Sequence, residues 1–184
     1  MMMDKQKKKW IASLLEMLGV IVLTVAIFKF VVIPVRIDGI SMENTLHDQS
    51  VAMINAIGVS EENIHRFDIV VLYSDKLDEK IIKRVIGMPG DTVEFKQDEL
   101  YINGEKMNQD FLDSDFVEQS KITYNVSQFT DDFKVKVDEG KYFVMGDNRL
   151  RSTDSRELGA FTLDDIIGVK GLVIYPFSDI QWID

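Results

Sequence analysis

The chain has no cysteine, only two histidines (His47 and His65), and three prolines in 184 residues. Without thiols there is no disulfide framework, no cysteine nucleophile and no thiolate metal site. Two histidines are too few for a His-rich metal centre, so no metal or other cofactor is expected. Basic charge is also scarce: 21 Lys and Arg stand against 31 Asp and Glu, a net −10. General nucleic-acid binding needs a basic face to replace phosphate counterions, so nucleic acid is not an expected partner. Disorder is excluded because 46% of the residues are hydrophobic. There is no internal repeat and no low-complexity linker, and the length suits one domain with a real core.

What is present is unevenly distributed. Residues 1–9 form a basic N-terminus carrying Lys5, Lys7, Lys8 and Lys9. Residues 10–34, from Trp10 to Pro34, are almost wholly apolar, with only Glu16 and Lys29 interrupting. Roughly 20 apolar residues in a helix cross a bilayer core about 30 Å thick, so 10–34 reads as a transmembrane anchor. Lys29 lies near the far end, where its stem can snorkel to the interface. Four lysines before the run put the N-terminus on the cytoplasmic side. A cleaved secretory signal shares the basic start and apolar run, but Phe30–Arg36 offers no small-residue cleavage site. A buried core helix would need a polar face at helical spacing, which is missing. The expectation is a single-pass cell-membrane protein with a lipid bilayer as partner and residues 35–184 on the extracytoplasmic side.

Before residue 35 the acids are Asp4 and Glu16 and the bases are Lys5, Lys7, Lys8, Lys9 and Lys29, leaving 29 acids and 16 bases beyond, a net −13. Solubility alone accounts for that charge. The fold class expected there is mainly β. Strand-like runs are Val51–Ile54, Asp68–Tyr73, Ile81–Ile86, Thr92–Lys96, Leu100–Ile102, Tyr142–Met145 and Val169–Tyr175. Thr92–Ile102 reads as a hairpin turning near Gln97-Asp98, and Gly87–Asp91 as a turn. Asp164–Ile167 reads as the start of a short helical turn. Residues 107–132 are polar, acidic and weakly patterned, an excursion from the sheets.

Three stretches carry chemistry. Asp38-Gly39-Ile40-Ser41-Met42-Glu43-Asn44-Thr45-Leu46 places a serine after a glycine turn, where backbone N–H groups can hold an oxyanion. The same pattern also describes an ordinary turn serine. Ile40, Met42 and Leu46 suit either a binding cleft or core packing. Lys83 lies in the apolar run Ile81–Ile86, where alternation gives both it and Arg84 aliphatic neighbours on their faces. Burial disfavours the charged form, so a lysine there can be a neutral general base; an edge-strand lysine that deters aggregation is the alternative. Tyr142-Phe143-Val144-Met145-Gly146-Asp147-Asn148-Arg149, continuing through Ser152, Asp154, Ser155 and Arg156, is a strand ending in a polar glycine turn. It suits a structural turn or an acidic cation loop, although its acids do not follow EF-hand spacing.

Together and in this order, behind an anchor, the three stretches resemble the bacterial type I signal peptidases, membrane-bound serine endopeptidases that remove secretory signal peptides. The 42-residue interval from Ser41 to Lys83 resembles the small Gram-positive type. The resemblance implies a β-rich catalytic domain, no cofactor, and secreted preproteins as substrates, cut after small residues; a monomer is assumed. It implies Ser41 as nucleophile and Lys83 as general base, acting through an acyl-enzyme. Ser152 would hydrogen-bond and orient the lysine, Asp154 and Arg156 would form a supporting ion pair, and Asp147 with Asn148 would brace the site. Some relatives have a hydroxyl two residues before the nucleophile as a second oxyanion donor; here that position is Gly39. Three positions depart from the family pattern: Asn44 replaces a proline, Phe67 a common glycine, and Arg151 a frequent asparagine. The missing proline is expected to loosen the turn holding Ser41. Rival readings are a Ser-His-Asp hydrolase using His47 or His65, a self-cleaving SOS-type repressor (no DNA-binding segment precedes the fold), and a catalytically weak or silent membrane-tethered binding protein. Asn44 favours the last reading; the presence of both Ser41 and Lys83 opposes it.

Overall fold

The computed structural model describes residues 2–183. Helix α1, Met2–Phe30, is rich in Leu, Met and Lys, all good helix formers. Its stretch Gln6–Ala26 is long and apolar enough to cross a membrane and none of it is buried. The helix stops where β-branched Val31, Val32 and Ile33 precede Pro34, which lacks an N–H and disfavours helical geometry in the residue before it. Val32–Arg36 is strand β1, so the far end of the span 10–34 belongs to the sheet rather than to the helix. Pro34 is tolerated because β1 is an edge strand, paired only with β2 (Val51–Asn55).

The chain continues through β3 (Ile69–Ser74), β4 (Glu79–Gly87), β5 (Thr92–Lys96), β6 (Glu99–Ile102) and β7 (Glu105–Met107). Helix α2 (Ser114–Tyr124) is followed by β8 (Phe133–Lys136), β9 (Lys141–Met145) and the single-turn helix α3 (Ser155–Leu158). Strands β10 (Phe161–Thr162), β11 (Ile166–Tyr175) and β12 (Gln181–Ile183) complete the chain. The predominantly β fold behind one N-terminal helix agrees with the sequence. The larger sheet runs β1-β2-β11-β3-β4-β9-β10, with β12 added to β11, and the smaller runs β7-β6-β5-β8. The β5–β6 hairpin turns on Gln97 and Asp98, both at positive φ, the type I′ signature of a two-residue loop.

The excursion at 107–132 is ordered around α2. Asp113 caps the helix, its carboxylate accepting from the Phe116 N–H, and Asn125 ends it in the left-handed conformation. The expected helical turn near Asp164 is a 3-10 turn, Leu163–Asp165, and Ile166 already begins β11.

Three buried clusters form the core. One lies under the serine turn and joins Ile37, Met42 and Leu46 to Ile54, Ile69 and Val71. A second packs Val70, Leu72, Val85 and Val144 around Tyr142 and Phe161. The third clamps the small sheet onto the large one through Val93, Phe95 and Leu100 against Ile86, Phe143 and Met145. Strand β4 serves all three, with Ile81 and Val85 facing the second cluster, Ile82 the first and Ile86 the third.

Candidate active site

Strand β4 lies inside the large sheet, between β3 and β9, with Lys83 opposite Val70 and Arg84 opposite Ile69. Lys83 is therefore no edge-strand lysine: it is 3% exposed. Its Nζ lies 2.8 Å from Ser41 Oγ and 3.0 Å from the Ile82 carbonyl oxygen. The ammonium form donates to the hydroxyl, and the neutral amine can accept the hydroxyl proton. Burial pulls the Lys83 pKa from 10.5 down to about 8, against the opposing pull of Asp154, Glu79 and Asp147. Roughly a tenth to a fifth is thus neutral near physiological pH, and a neutral amine in contact with a hydroxyl can act as a base toward it.

Ser41 sits in a run of turns between β1 and β2. The Glu43 N–H donates to the Ile40 carbonyl, and the Thr45 and Leu46 N–H groups to the Met42 carbonyl. Met42 and Leu46 are core side chains at 1% exposure, whereas Ile40 is 38% exposed. Ile40 and Met42 line a cleft of about 560 Å³ with Ser41, Ile82, Lys83 and Arg151. Gly39, at φ +98°, donates its N–H to Asp48 Oδ1 at 2.7 Å.

The glycine turn after β9 docks on the serine from behind. The Asn148 N–H donates to the Ser41 carbonyl at 3.0 Å, while Asn148 Oδ1 is buried without a partner. A Cβ on Gly146 would lie 2.5 Å from that same Ser41 carbonyl and 2.3 Å from Ser152 Oγ, so only glycine allows this approach. Ser152 Oγ is buried and makes no hydrogen bond to Lys83, whose amine is directed to Ser41 and Ile82 instead. Asp154, wholly buried, receives both forks of Arg156 at 2.8 and 2.9 Å and the Gly146 N–H at 3.0 Å. Burial alone would push the Asp154 carboxyl up, but Arg156 and the Gly146 N–H outweigh it and hold the pKa below the usual carboxylate range.

Two contacts escape sequence reasoning and tie the three stretches together. Asp147, with no exposure, takes a bidentate pair from Arg84, Nε to Oδ1 at 2.9 Å and Nη2 to Oδ2 at 2.7 Å. Thr45 Oγ1 donates to the same Oδ2 at 2.6 Å. Arg84 also donates to the Phe67 carbonyl and lies 4.1 Å over the Phe111 ring. The available signal was the pair of adjacent bases in an apolar strand; Asp147, 63 residues distant, gave no hint of being the partner. Arg149 is buried with no carboxylate in contact among the described residues. It donates to the Gly146 carbonyl, Thr130 Oγ1 and Gln109 Oε1, and burial pulls its pKa down to about 10.

The departures from the family pattern also have geometry. Phe67 holds φ +75°, a left-handed conformation natural to glycine, and its ring packs on Phe111 at 5.2 Å. Asn44 holds φ +85°, which proline cannot adopt, so the turn is not one that lost its proline and slackened. Arg151 is exposed at the cleft, over Tyr124 at 5.7 Å. Both histidines are exposed and lie beside carboxylates: His47 Nδ1 is 3.0 Å from Glu43 and His65 Nδ1 is 3.6 Å from Asp68. The triad reading loses its base, because Ser41 Oγ bonds Lys83 and, among the described residues, neither histidine.

Comparison with known proteins gives a consistent picture. The family described as "Signal peptidase, peptidase S26" matches residues 8–175. Signal peptidase I U of Bacillus subtilis (strain 168) is 39% identical over 181 residues, 95% of this chain and 94% of that protein. A signal peptidase I of Bacillus amyloliquefaciens is 44% identical over 163 residues, 88% of this chain and 85% of that one. A crystal structure of a signal peptidase I from Enterococcus faecalis V583 superposes with a TM-score of 0.50 at 40% identity, covering 58% of this chain and 95% of that one.

Proposed function

The chain belongs to the signal peptidase family, peptidase S26, and from that premise we propose that it removes N-terminal signal peptides from secreted preproteins by a Ser41–Lys83 dyad. Members of this family are serine endopeptidases, and so is this protein. The observation that carries the dyad reading is the 2.8 Å contact between Ser41 Oγ and a Lys83 amine whose burial lowers its pKa to about 8. A serine hydroxyl is a poor nucleophile until a neighbouring base takes its proton. Neutral Lys83 accepts that proton as Oγ attacks the scissile carbonyl. It returns the proton to the leaving amine as the carbon–nitrogen bond breaks, leaving an acyl-enzyme on Ser41. The same amine then deprotonates a water, which releases the acid and regenerates the hydroxyl. The Ser41 backbone N–H stabilises the oxyanion of both tetrahedral intermediates.

The remaining polar groups keep this pair in register. Asn148 holds the Ser41 carbonyl, and Asp147 braces the serine turn through Thr45 and the lysine strand through Arg84. The Asp154–Arg156 pair fixes the Gly146 turn behind them. Helix α1 anchors the enzyme in the bilayer, with its basic N-terminus cytoplasmic and residues 35–184 extracytoplasmic. Sharing a bilayer with the signal peptide raises the effective concentration of substrate at the cleft.

Preprotein cleavage by the full chain in detergent or vesicles tests this reading. Ser41→Ala and Lys83→Ala are each expected to abolish cleavage while leaving the fold intact. Retained cleavage by either variant would remove the dyad.

A further inference from the structure

Asn44 stands three residues beyond Ser41, in the left-handed conformation, with both ends of its carboxamide engaged. Its Nδ2 donates to the Phe111 carbonyl at 2.6 Å, and its Oδ1 accepts the Asp113 N–H at 3.0 Å. These partners belong to the segment leading into α2, and Asp113 is that helix's N-cap. The segment is itself fixed, because the Phe111 ring lies on both the Arg84 guanidinium and the Phe67 ring. The Asp113 N–H is one of the donors that a helix start cannot satisfy internally, so the Asn44 oxygen gives it an acceptor it would otherwise lack.

We propose that Asn44 is a positioning residue: its carboxamide clamps the serine turn to the Phe111–Asp113 segment and thereby holds Ser41 Oγ at the Lys83 amine. The inference rests on the dyad reading above. The serine turn is held within itself by backbone hydrogen bonds of 2.8 to 3.2 Å, from below by the buried Met42 and Leu46 side chains, and by Gln181, whose Nε2 donates to the Thr45 carbonyl at 2.8 Å. From the glycine-turn side it is held by Asn148 on the Ser41 carbonyl and by Asp147 on Thr45. The Asn44 clamp comes from a separate part of the chain, 67 and 69 residues away. With holds from two directions the turn cannot pivot about the glycine-turn contacts. Only a side chain that is donor and acceptor at once, on a backbone tolerating positive φ, makes both bonds. Asparagine meets both conditions, and it is the residue most at home there after glycine.

The test compares wild type with Asn44→Gly and Asn44→Pro as full chains in detergent, well below the melting temperature. Glycine keeps the left-handed backbone and removes the clamp; proline removes both. Displacing reacting groups by about 1 Å costs up to 100-fold, so Asn44→Gly is expected to lower kcat about tenfold or more with KM within about twofold. Hydrogen exchange provides a readout independent of activity: the amides of residues 111–113 and 41–46 should lose protection in Asn44→Gly while the β3–β4 amides keep theirs. Unchanged exchange at both segments, or lost protection with an unchanged kcat, would overturn the proposal. Proline matching wild type in kcat would do the same. If wild type cleaves no preprotein, the dyad reading fails first, and the exchange at the two segments still decides whether the clamp exists.

Discussion

Arg84 grips Asp147 through two parallel hydrogen bonds at a depth where Asp147 has no solvent exposure and Arg84 only 5%. Arg84 sits beside Lys83 and Asp147 in the glycine turn, so the pair ties the Lys83 strand to the turn that docks behind Ser41. Breaking a buried pair by removing one partner costs more than the pair is worth, because the surviving charge stays buried and unpaired.

Asp147→Ala is therefore expected to destabilise the fold by about 3–5 kcal/mol and to abolish cleavage. Thermal unfolding with an activity assay checks it. Thr45→Val, which deletes a hydroxyl bonded to the same carboxylate and to Arg84 Nη2 but leaves the charge pair intact, should cost about 1–3 kcal/mol. Equal losses for the two variants would contradict the paired-charge account.

With Lys83 as the base of the proposed dyad, cleavage rate should rise with pH through its pKa of about 8, because that base must be neutral. Below that point the neutral fraction falls about tenfold per pH unit, and above it the rate should reach a plateau. A pH profile of kcat/KM on a preprotein or peptide checks this. A profile centred near the imidazole value of about 6.5 would point to a histidine base instead.

Lys83 should also cost stability. Its folded pKa lies below its ordinary 10.5, so between about pH 8 and 10.5 the unfolded chain binds a proton that the folded chain does not. Stability attributable to this residue then rises with pH across that window and is lowest below it. At neutral pH the penalty is about 3 kcal/mol. Lys83→Met is expected to be inactive yet to melt higher than wild type, with the difference shrinking as pH rises from about 8 toward 10.5. An inactive Lys83→Met that melts lower would refute the strained-base reading.

Gly146→Ala should be nearly inactive even though the change is a single methyl group. The new Cβ would press on the Ser41 carbonyl, which is backbone and cannot swing away, and on the buried Ser152 hydroxyl. Overpacking of this kind costs about 1–3 kcal/mol in stability, and the displacement it forces falls on the nucleophile. Comparison with Gly19→Ala, where nothing lies within 4 Å of the new Cβ and the backbone is not left-handed, separates the site-specific loss from the effect of an added methyl elsewhere.

Much of the fold was legible because its strands are rich in β-branched residues and bounded by turn residues. The Gln97-Asp98 turn lies where expected, whereas the aliphatic neighbours of Lys83 left an edge strand as open as a buried one, and only the pairing of β4 with both β3 and β9 decides it. Strand β1 was hidden because Val32, Ile33 and Val35 extend the anchor's apolar run, and hydrophobicity cannot distinguish lipid from a sheet partner. Helix α2 was obscured by its polar face; its clearest signals were local, an Asp cap and a left-handed Asn stop. The Arg84–Asp147 and Asn44–Phe111 contacts join residues 63 and 67 positions apart, and no local pattern encodes such a pairing. Asn44 was visible only as a departure, and its meaning reversed once its φ was known. An apparent lost proline is a carboxamide occupying a conformation that proline cannot enter.

Only Val31 separates the end of α1 from the start of β1, and the cleft begins at Pro34 on that strand. A strand advances about 3.3 Å per residue, so Ser41 can sit no more than a few tens of ångströms from the last turn of the helix. On the proposed topology, with α1 in a bilayer, this short tether would act as a depth gauge. A bond carried on a long soluble stalk would then pass over the enzyme uncut, whereas one just above the lipid would meet Ser41.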